Sequence, residues 1–421
     1  MSRSTIAIAS GTAIIAAVIL ALTLGGGSSD PTASDQTTTT SASEDAGETD
    51  PLETDPVDPI PGFDRSLLPG DLDAVSADWA TDFSRTTIDY GELLIGIRAL
   101  PIRDRIPPID NPSFVTVSEA DHADEREPGL ALEIDGDARF YPLSILTAHE
   151  IVNDVVGEQP VAVTFCPLCN SAIVFDRVFE DAELRFGVSG LLRNSDLVMW
   201  DNRTESLWQQ LTGEGLVGEY AGEQLTFVPS SISNFGDYAR RHPDGLVLGP
   251  DQGFGRQYGY NPYIGYSSRS TPYGFFNAAD LDTRYAALER VVNVTVDGTT
   301  RAYPFSVIEP LGAVNDTVDG ADIVVLWGGD TADALDNDQI ARSRDIGTGI
   351  AFHRTVDGQV LTFASVGDGM FTDAETGSEW DLNGTALTGP LAGAQLEPVV
   401  HGNEFWFAWA AFNPGAGVFE G

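Results

Sequence analysis

Short runs of apolar, often β-branched residues alternate with polar or glycine-containing turns along most of this chain. Val161–Phe165 is typical of a buried strand, because β-branched and aromatic residues dominate it. Segments of similar character follow at Ala172–Arg177, Leu184–Val188 and Leu197–Trp200. No long amphipathic helix pattern is present. The pattern therefore predicts a mainly β fold (α+β with short helices), arranged in barrel- or sandwich-like domains.

Two hairpins are predicted where strand-like segments flank an Asp-Gly pair, at Asp135-Gly136 and Asp297-Gly298. Asp-Gly readily adopts the positive φ angles that a two-residue hairpin turn requires. After the first hairpin, Ser144–Asn153 is predicted to form a short helix with Ser144 as its N-terminal cap.

The most informative pattern is an internal repeat, in which four blocks of residues recur in the same order with the same internal spacing. Such a repeat predicts two tandem domains of related fold, which we place at 64–265 and 266–421. The recurring blocks are Tyr141-Pro142 with Tyr303-Pro304, Val152–Asp154 with Val314–Asp316, Phe175 and Arg177 with Phe352 and Arg354, and Asp201, Thr204, Ser206 and Trp208 with Asp373, Thr376, Ser378 and Trp380.

The first 63 residues differ in character from the rest of the chain. Ile6–Leu24 is uncharged, mostly apolar and about long enough to span a bilayer as a helix. Residues 1–27 are therefore predicted to be an uncleaved signal anchor or transmembrane segment, rather than a cleaved signal peptide. Residues 28–63 are acidic and rich in Ser, Thr and Pro, which predicts a disordered tether. The main body is expected to lie outside the cytoplasm, attached to the membrane.

The charge balance excludes some partners and suggests an environment. The chain has 64 acidic residues against 22 basic ones, a formal net charge of −42, and every basic residue is Arg. Nucleic acid is not expected as a partner, because little here could neutralise phosphates. Such strong self-repulsion is screened only in concentrated salt, so we expect a halophilic protein.

The two cysteines lie in Cys166-Pro167-Leu168-Cys169, directly after the predicted buried strand. Three interpretations are open. A structural disulfide is compatible with export, although closing so short a loop stabilises a fold by only about 2 kcal/mol. A redox pair would interconvert between dithiol and disulfide. A metal site would need a further ligand such as His149, and a Cys/Cys/His set would suit copper or zinc.

Comparison of the two copies separates predicted scaffold from predicted site. Residues present in both copies are interpreted as buried or hydrogen-bonding scaffold. Residues present only in the first copy are interpreted as a candidate site, which the second copy lacks. At the repeat offset these residues and their counterparts are Cys166 and Gly328, Cys169 and Thr331, His149 and Leu311, and Glu150 and Gly312.

Several motifs occur in the order found in a known family. They are Tyr141-Pro142, His149–Asp154, Thr164–Asn170, Phe186–Gly190, Trp200-Asp201 followed by Thr204, Ser206 and Trp208, and Asn261–Tyr263. Over roughly residues 95–266 the chain resembles the family designated domain of unknown function 3179, and residues 266–421 then form a degenerate second copy. The resemblance implies no activity, since the family has none established.

The leading hypothesis is a thiol–disulfide oxidoreductase site in the first domain. Cys166 would attack, Cys169 would resolve the mixed disulfide, and His149 with Glu150 would modulate their protonation. The partner would be an unidentified thiol or disulfide, or a small ligand. The alternative is a copper- or zinc-binding module without catalysis, whose ligands would be Cys166, Cys169 and His149.

Overall fold

The computed structural model describes residues 57–421. The predicted signal anchor at 1–27 lies outside the described residues, as does most of the predicted linker at 28–63. Within residues 57–421, no helix is both long and apolar enough to cross a membrane. The α-helices of this range are short: α1 Gly70–Val75, α2 Leu143–His149, α3 Phe235–Arg241, α4 Phe305–Ile308 and α5 Trp406–Phe412. Single 3₁₀ turns lie at Arg65–Leu67, Tyr90–Glu92, Val117–Glu119, Tyr266–Ser268, Ala278–Asp280 and Ile340–Arg342.

Strands dominate the described range. Two strands precede the repeat, β1 Leu94–Ile95 and β2 Phe114–Thr116. The strands of residues 128–248, which we call the first unit, are β3 Pro128–Ile134, β4 Asp137–Pro142, β5 Ile151–Val156, β6 Gln159–Cys166, β7 Ser171–Asp176, β8 Val178–Phe179, β9 Ala182–Glu183, β10 Phe186–Arg193, β11 Asp196–Asp201, β12 Leu207–Gln209, β13 Gly215–Val217, β14 Phe227–Val228, β15 Ser231–Asn234 and β16 Leu246–Leu248.

The strands of residues 290–418, which we call the second unit, are β17 Arg290–Val296, β18 Thr299–Pro304, β19 Ala313–Val318, β20 Ala321–Gly328, β21 Thr348–His353, β22 Thr355–Val356, β23 Gln359–Val360, β24 Phe363–Gly367, β25 Met370–Asp373, β26 Glu379–Asp381, β27 Ala386–Thr388, β28 His401–Phe405 and β29 Gly417–Val418. The fold is therefore mainly β with short helices, as predicted.

The two units share one topology. In each, an opening hairpin (β3–β4 or β17–β18) gains an antiparallel strand (β15 or β28) on one side and a parallel strand (β16 or β29) on the other. A three-stranded antiparallel segment follows (β5–β7 or β19–β21), and then a four-stranded meander (β10–β13 or β24–β27). Each sheet keeps two edges, and no closed barrel forms among the described residues.

Shared residues make equivalent scaffold contacts in both units. The Tyr141 hydroxyl donates a 2.6 Å hydrogen bond to Asp154, and the Tyr303 hydroxyl donates a 2.8 Å bond to Asp316. The Asn153 side chain bonds both the N–H and the carbonyl of Phe186, and Asn315 does the same with Phe363. The Trp208 and Trp380 indoles donate to Asp201 and Asp373, each at 2.9 Å. Such buried polar pairs fix how the sheets of each unit meet.

The predicted helix at Ser144–Asn153 was wrong at both ends. α2 ends at His149, because Glu150 adopts a left-handed conformation (φ 61°) and residues from Ile151 onward pair with β6. The cap residue is Pro142 rather than Ser144, and no side chain caps the helix. Strand pairing with a long buried neighbour therefore overrides a helical preference in these residues.

One apolar cluster spans both units, while two further clusters belong to the second unit alone. The largest apolar cluster joins residues of the first unit, the second unit and the connecting segment 249–289. Tyr266 of that segment packs edge-on against Phe405 of β28, with ring centroids 5.9 Å apart. The loop that carries the two cysteines lies inside this shared cluster.

Candidate functional site

The two thiols lie at the end of β6 and in the turn that follows it. Cys166 is the last residue of β6 and pairs with Ser171, the first residue of β7. The turn closes through a 3.2 Å hydrogen bond from the Cys169 N–H to the Cys166 carbonyl, and Asn170 completes it with a φ of 53°. Both cysteines are free thiols. The predicted position at a strand end is confirmed.

Asp196 lies beside the two cysteines and forms with them a group of three potential metal ligands. It begins β11, after a turn in which Asn194 and Ser195 both have positive φ angles. One carboxylate oxygen of Asp196 and the sulfurs of Cys166 and Cys169 all lie within 4.8 Å of one another. The Cys166 thiol also lies 3.8 Å from the Ser195 carbonyl, to which it donates. The β10–β11 hairpin thus delivers a carboxylate to the cysteine turn.

The Asp196 carboxylate is held firmly at one oxygen only. Its Oδ2 accepts hydrogen bonds from the Gln209 side chain at 2.6 Å and from the Leu211 N–H at 2.9 Å. Its Oδ1 is buried and has no hydrogen-bond partner within the described protein. A buried acceptor without a partner is costly, so an orphaned oxygen beside two thiols suggests a ligand that completes the site.

Residues near the cysteine turn carry further buried polar atoms without partners. Gln210 donates to the Thr164 hydroxyl at 2.8 Å and to the Ser171 carbonyl at 3.3 Å, which places its amide beside β6 and β7. The Gln210 Oε1 and the hydroxyls of Ser171 and Ser195 are buried and lack partners in the described structure. The cysteine turn therefore lies close to buried polar atoms without partners, within an otherwise apolar core.

Burial governs the charges of this cluster. It raises the pKa of Asp196 to about 6, although hydrogen bonds from Gln209, from Leu211 and from the two thiols oppose the shift. It also raises the pKa of both thiols, and the nearby Asp196 carboxylate raises them further. In a metal-free protein the thiols therefore stay protonated at neutral pH and are poor nucleophiles.

Glu150 interacts electrostatically with the thiol site. Its carbonyl accepts a 2.8 Å hydrogen bond from the N–H of Phe165, the residue before Cys166. Its side chain is buried, and its charge interacts with those of Asp196 and the Cys166 thiol. Burial, with the Asp196 charge second, raises the pKa of Glu150 to about 8.

Both ring nitrogens of His149 form hydrogen bonds with residues outside the thiol site. Its Nδ1 donates to the Pro107 carbonyl at 2.6 Å, and its Nε2 accepts from the Tyr258 hydroxyl at 2.7 Å. The ring also packs against Phe254, with centroids 4.6 Å apart. Burial lowers the pKa of His149 to about 4, so the ring is neutral. The group of donors that holds Cys166 does not include His149.

Distant segments cover the thiols. The Tyr266 hydroxyl donates to the Leu168 carbonyl at 2.8 Å. From β28, the Phe405 N–H donates to the Cys169 carbonyl at 2.9 Å, and the Asn403 carbonyl accepts from Asn170 at 2.7 Å. Cys166 is consequently 2% exposed and Cys169 is fully buried. The connecting segment and the second unit together keep solvent from the site.

The comparison of the two copies could not reveal Asp196. At the spacing that relates Asp201 to Asp373, Asp196 falls on Asp368, so it counts as a shared residue. In the second unit the corresponding hairpin is shorter, and Asp368 lies in its exposed turn rather than on a strand. The sequence could have pointed to Asp196 only through the greater length of the β10–β11 hairpin compared with β24–β25, because both copies have Asp at this position.

A family model described as "Protein of unknown function (DUF3179)" matches residues 103–416, well over half of the chain. The match runs through both units, beyond the residues 95–266 over which the motifs were recognised. No curated protein and no solved structure matches the chain. The function must therefore be inferred from the site itself.

Proposed function

We propose a metal-binding function for this chain, which belongs to the DUF3179 family of proteins of unknown function. The ligands are the thiolates of Cys166 and Cys169 and the carboxylate of Asp196. One observation carries the proposal: these three donors lie within 4.8 Å of one another in a buried site, where one Asp196 oxygen lacks a partner. Donors around one tetrahedral ion are roughly 3.5–3.8 Å apart, which small side-chain movements reach from here.

Zinc fits this donor set best. Two thiolates select borderline or soft ions such as Zn²⁺ and Cu⁺, whereas a carboxylate favours the harder divalent ion. Binding would release the thiol protons, which the metal-free site keeps because burial raises the pKa of both thiols. Copper, the other ion expected from the cysteine pair, would use the sulfurs and leave Asp196 without a role.

Elemental analysis of the purified full chain tests the proposal. We expect about one zinc per chain in the wild type, and loss of that zinc in Cys166→Ser and Asp196→Asn. Asp176→Asn is the matched control, because Asp176 lies at the far end of the β6–β7 hairpin, where it bonds Gln159. Cobalt should replace zinc and give sulfur-to-cobalt absorption bands. Zinc content that survives Asp196→Asn would contradict the proposed ligand set.

A thiol–disulfide function is the second candidate, favoured by the close approach of two free thiols in one turn. Oxidation would remove two electrons and two protons from Cys166 and Cys169, and a partner's disulfide would accept them to become two thiols. Asp196 could accept one of these thiol protons while the disulfide forms. The raised thiol pKa and the burial of both sulfurs oppose this function.

Alkylation separates the two candidates. A metal site predicts thiols that react only after a chelator or a denaturant is added. A redox pair predicts native thiols that react without either, and a midpoint potential well above about −300 mV.

We further propose that the folded body is exported and tethered through residues 1–27. The apolar run and the acidic stretch after it support this location. Protease added to intact cells should release the body, and deletion of residues 1–27 should protect it. Equal protection of both forms would contradict the proposed location.

A further inference from the structure

The outward edge of β10 in the first unit is covered by residues 94–104, a segment that lies before that unit in the chain. β1 pairs with β10 through Ile95 and Leu191. Farther along, the Asp104 N–H donates to the Val188 carbonyl at 2.8 Å, and the Val188 N–H donates to the Asp104 carboxylate at 2.9 Å. The backbone groups on this edge of β10 are therefore satisfied within the chain.

The corresponding strand of the second unit, β24, keeps this edge open. Ser365 is the counterpart of Val188 at the spacing that relates the two meanders. Within residues 57–421, β24 has β25 as its one strand neighbour, and no residue bonds the Ser365 backbone as Asp104 bonds that of Val188. Ser365 and Val366 are exposed, Val366 by 60%. An open strand edge of this kind is a template for pairing with another chain.

A cleft lies beside this open edge. Its volume is 1160 Å³, and Ser365 lines it together with Leu311 and Leu387, which are 47% and 49% exposed. Gly328, the counterpart of Cys166, is also among its lining residues, so the cleft has the place in the second unit that the thiol site has in the first. Exposed apolar residues that line one cleft are typical of an interaction site.

Two equivalent helices account for part of this difference. α5 follows β28 as α3 follows β15, and both helices have seven residues. On α5, Ala408 and Phe412 pack in the apolar cluster that contains the thiols. Their counterparts on α3, Asp237 and Arg241, line the cleft of the second unit. Apolar side chains that help to close the first position are thus replaced by charged ones at the second.

The charges of the cleft favour a basic partner. Its lining has two arginines, Arg240 and Arg241, and five carboxylates, those of Asp237, Glu309, Asp330, Asp368 and Asp381. Arg240 forms an ion pair with Asp237, so the remaining lining charge is negative.

The segment that covers β10 shows what chemistry such an edge accepts. Residues 94–106 contain three arginines and one acidic residue, and the others are apolar, Gly or Pro. This composition is unusual in a chain with a net charge of −42. One of the arginines, Arg103, forms an ion pair with Glu205 of the first unit.

We propose that the β24 edge and the adjacent cleft bind an extended, basic and apolar segment of a partner protein. The segment would add a strand to β24, with its backbone bonded to Ser365 and its apolar side chains against Leu311 and Leu387. Its basic side chains would face the carboxylates of the cleft. This inference does not depend on the metal site, since the second unit has neither cysteine.

A labelled peptide with the sequence of residues 94–106 tests this inference, because it carries the required chemistry. Fluorescence anisotropy with the full chain should show saturable binding in about 1 M salt, which screens non-specific attraction to an acidic protein. Ser365→Pro removes the N–H at the open edge, and Leu387→Ser removes an exposed apolar contact. Each should weaken binding at least about tenfold. Hydrogen exchange of Phe363–Gly367 should slow when the peptide is added.

Leu67→Ser is the matched control. Leu67 is 59% exposed but lies in the 3₁₀ turn at Arg65–Leu67 and not among the residues that line the cleft, so peptide affinity should be unchanged. A peptide with its three arginines replaced by glutamate should bind at least about tenfold more weakly.

Three results would overturn the proposal. The first is a wild-type chain that binds no peptide, and the second is equal affinity in the wild type, Ser365→Pro and Leu387→Ser. The third is a dimer of the chain in which β24 is protected from exchange without peptide, which would assign the edge to a second copy. None of these results bears on zinc content, so the proposed metal site stands or fails separately.

Discussion

Gly328 packs directly beneath Leu382 in the second unit, at the position that Cys166 occupies in the first. Gly328 pairs with Thr348 as Cys166 pairs with Ser171, and a Cβ on Gly328 would lie 2.7 Å from the Leu382 Cδ2. Leu382 is the counterpart of Gln210, the amide that borders the thiols. The second unit has thus replaced a polar donor site with apolar packing.

This contact predicts that Gly328→Ala destabilises the protein by about 1 kcal/mol, since the buried Leu382 must move aside. Leu382→Ala should remove the conflict, so that the double variant is less destabilised than the two single losses added together. Denaturant titration measures all three. Gly274→Ala, where an added Cβ meets nothing within 4 Å, is the control. Strict additivity of the two losses would contradict the packing described.

His149→Gln tests the placement of the histidine outside the metal site. We expect unchanged zinc stoichiometry and a loss of about 1–2 kcal/mol in the free energy of unfolding, because the bonds to Pro107 and Tyr258 are broken or weakened. Zinc analysis and denaturant titration of the same preparation give both values. A folded variant without zinc would show instead that His149 is a ligand.

The scaffold aspartates should affect stability without affecting metal binding. Asp154 accepts hydrogen bonds from Arg139 and Tyr141, and its side chain is 7% exposed, against 18% for Asp316 in the second unit. Asp154→Ala should therefore destabilise the protein by about 3 kcal/mol, and Asp316→Ala by less. Zinc content should be unchanged in both, as measured on the folded fraction. An equal loss of stability in the two variants would argue against burial as the cause.

Glu127 should make stability depend on pH. Burial raises the pKa of Glu127 from 4.5 to about 7, although the Ser144 N–H donates to its Oε1 at 3.3 Å. The folded state thus holds a proton that the unfolded state releases, so the stability from this group is present below pH 4.5 and falls as the pH rises to 7. Relative to wild type, Glu127→Gln should gain up to ~3 kcal/mol across this range.

Denaturant titrations from pH 4 to 8 measure that difference. Glu289→Gln is the control, because Glu289 accepts the equivalent bond from the Ser306 N–H at 2.8 Å but is only partly buried. A constant difference between Glu127→Gln and the wild type at pH 5 and pH 8 would show that Glu127 does not titrate in this range.

The sequence by itself determined the local features of this protein. Runs of β-branched and aromatic residues and Asp-Gly turns predicted the strands and hairpins, because strand preference and a turn's φ angles depend on adjacent residues. The repeat identified the shared Tyr, Asn, Asp and Trp residues as scaffold, and the position of Cys166 and Cys169 after a buried strand followed from the same patterns.

Only the tertiary structure decided which side chains meet at the thiols. Asp196 reaches them because the β10–β11 hairpin is long enough, and that length matters only once the sheets have packed. His149 is the last residue of α2, yet Pro107 and Tyr258, far apart in sequence, bond both of its ring nitrogens. Burial of the cysteines likewise depends on Tyr266 and Phe405, which lie far along the chain. Contacts between distant segments depend on the geometry of the whole fold, which no local pattern of residues encodes.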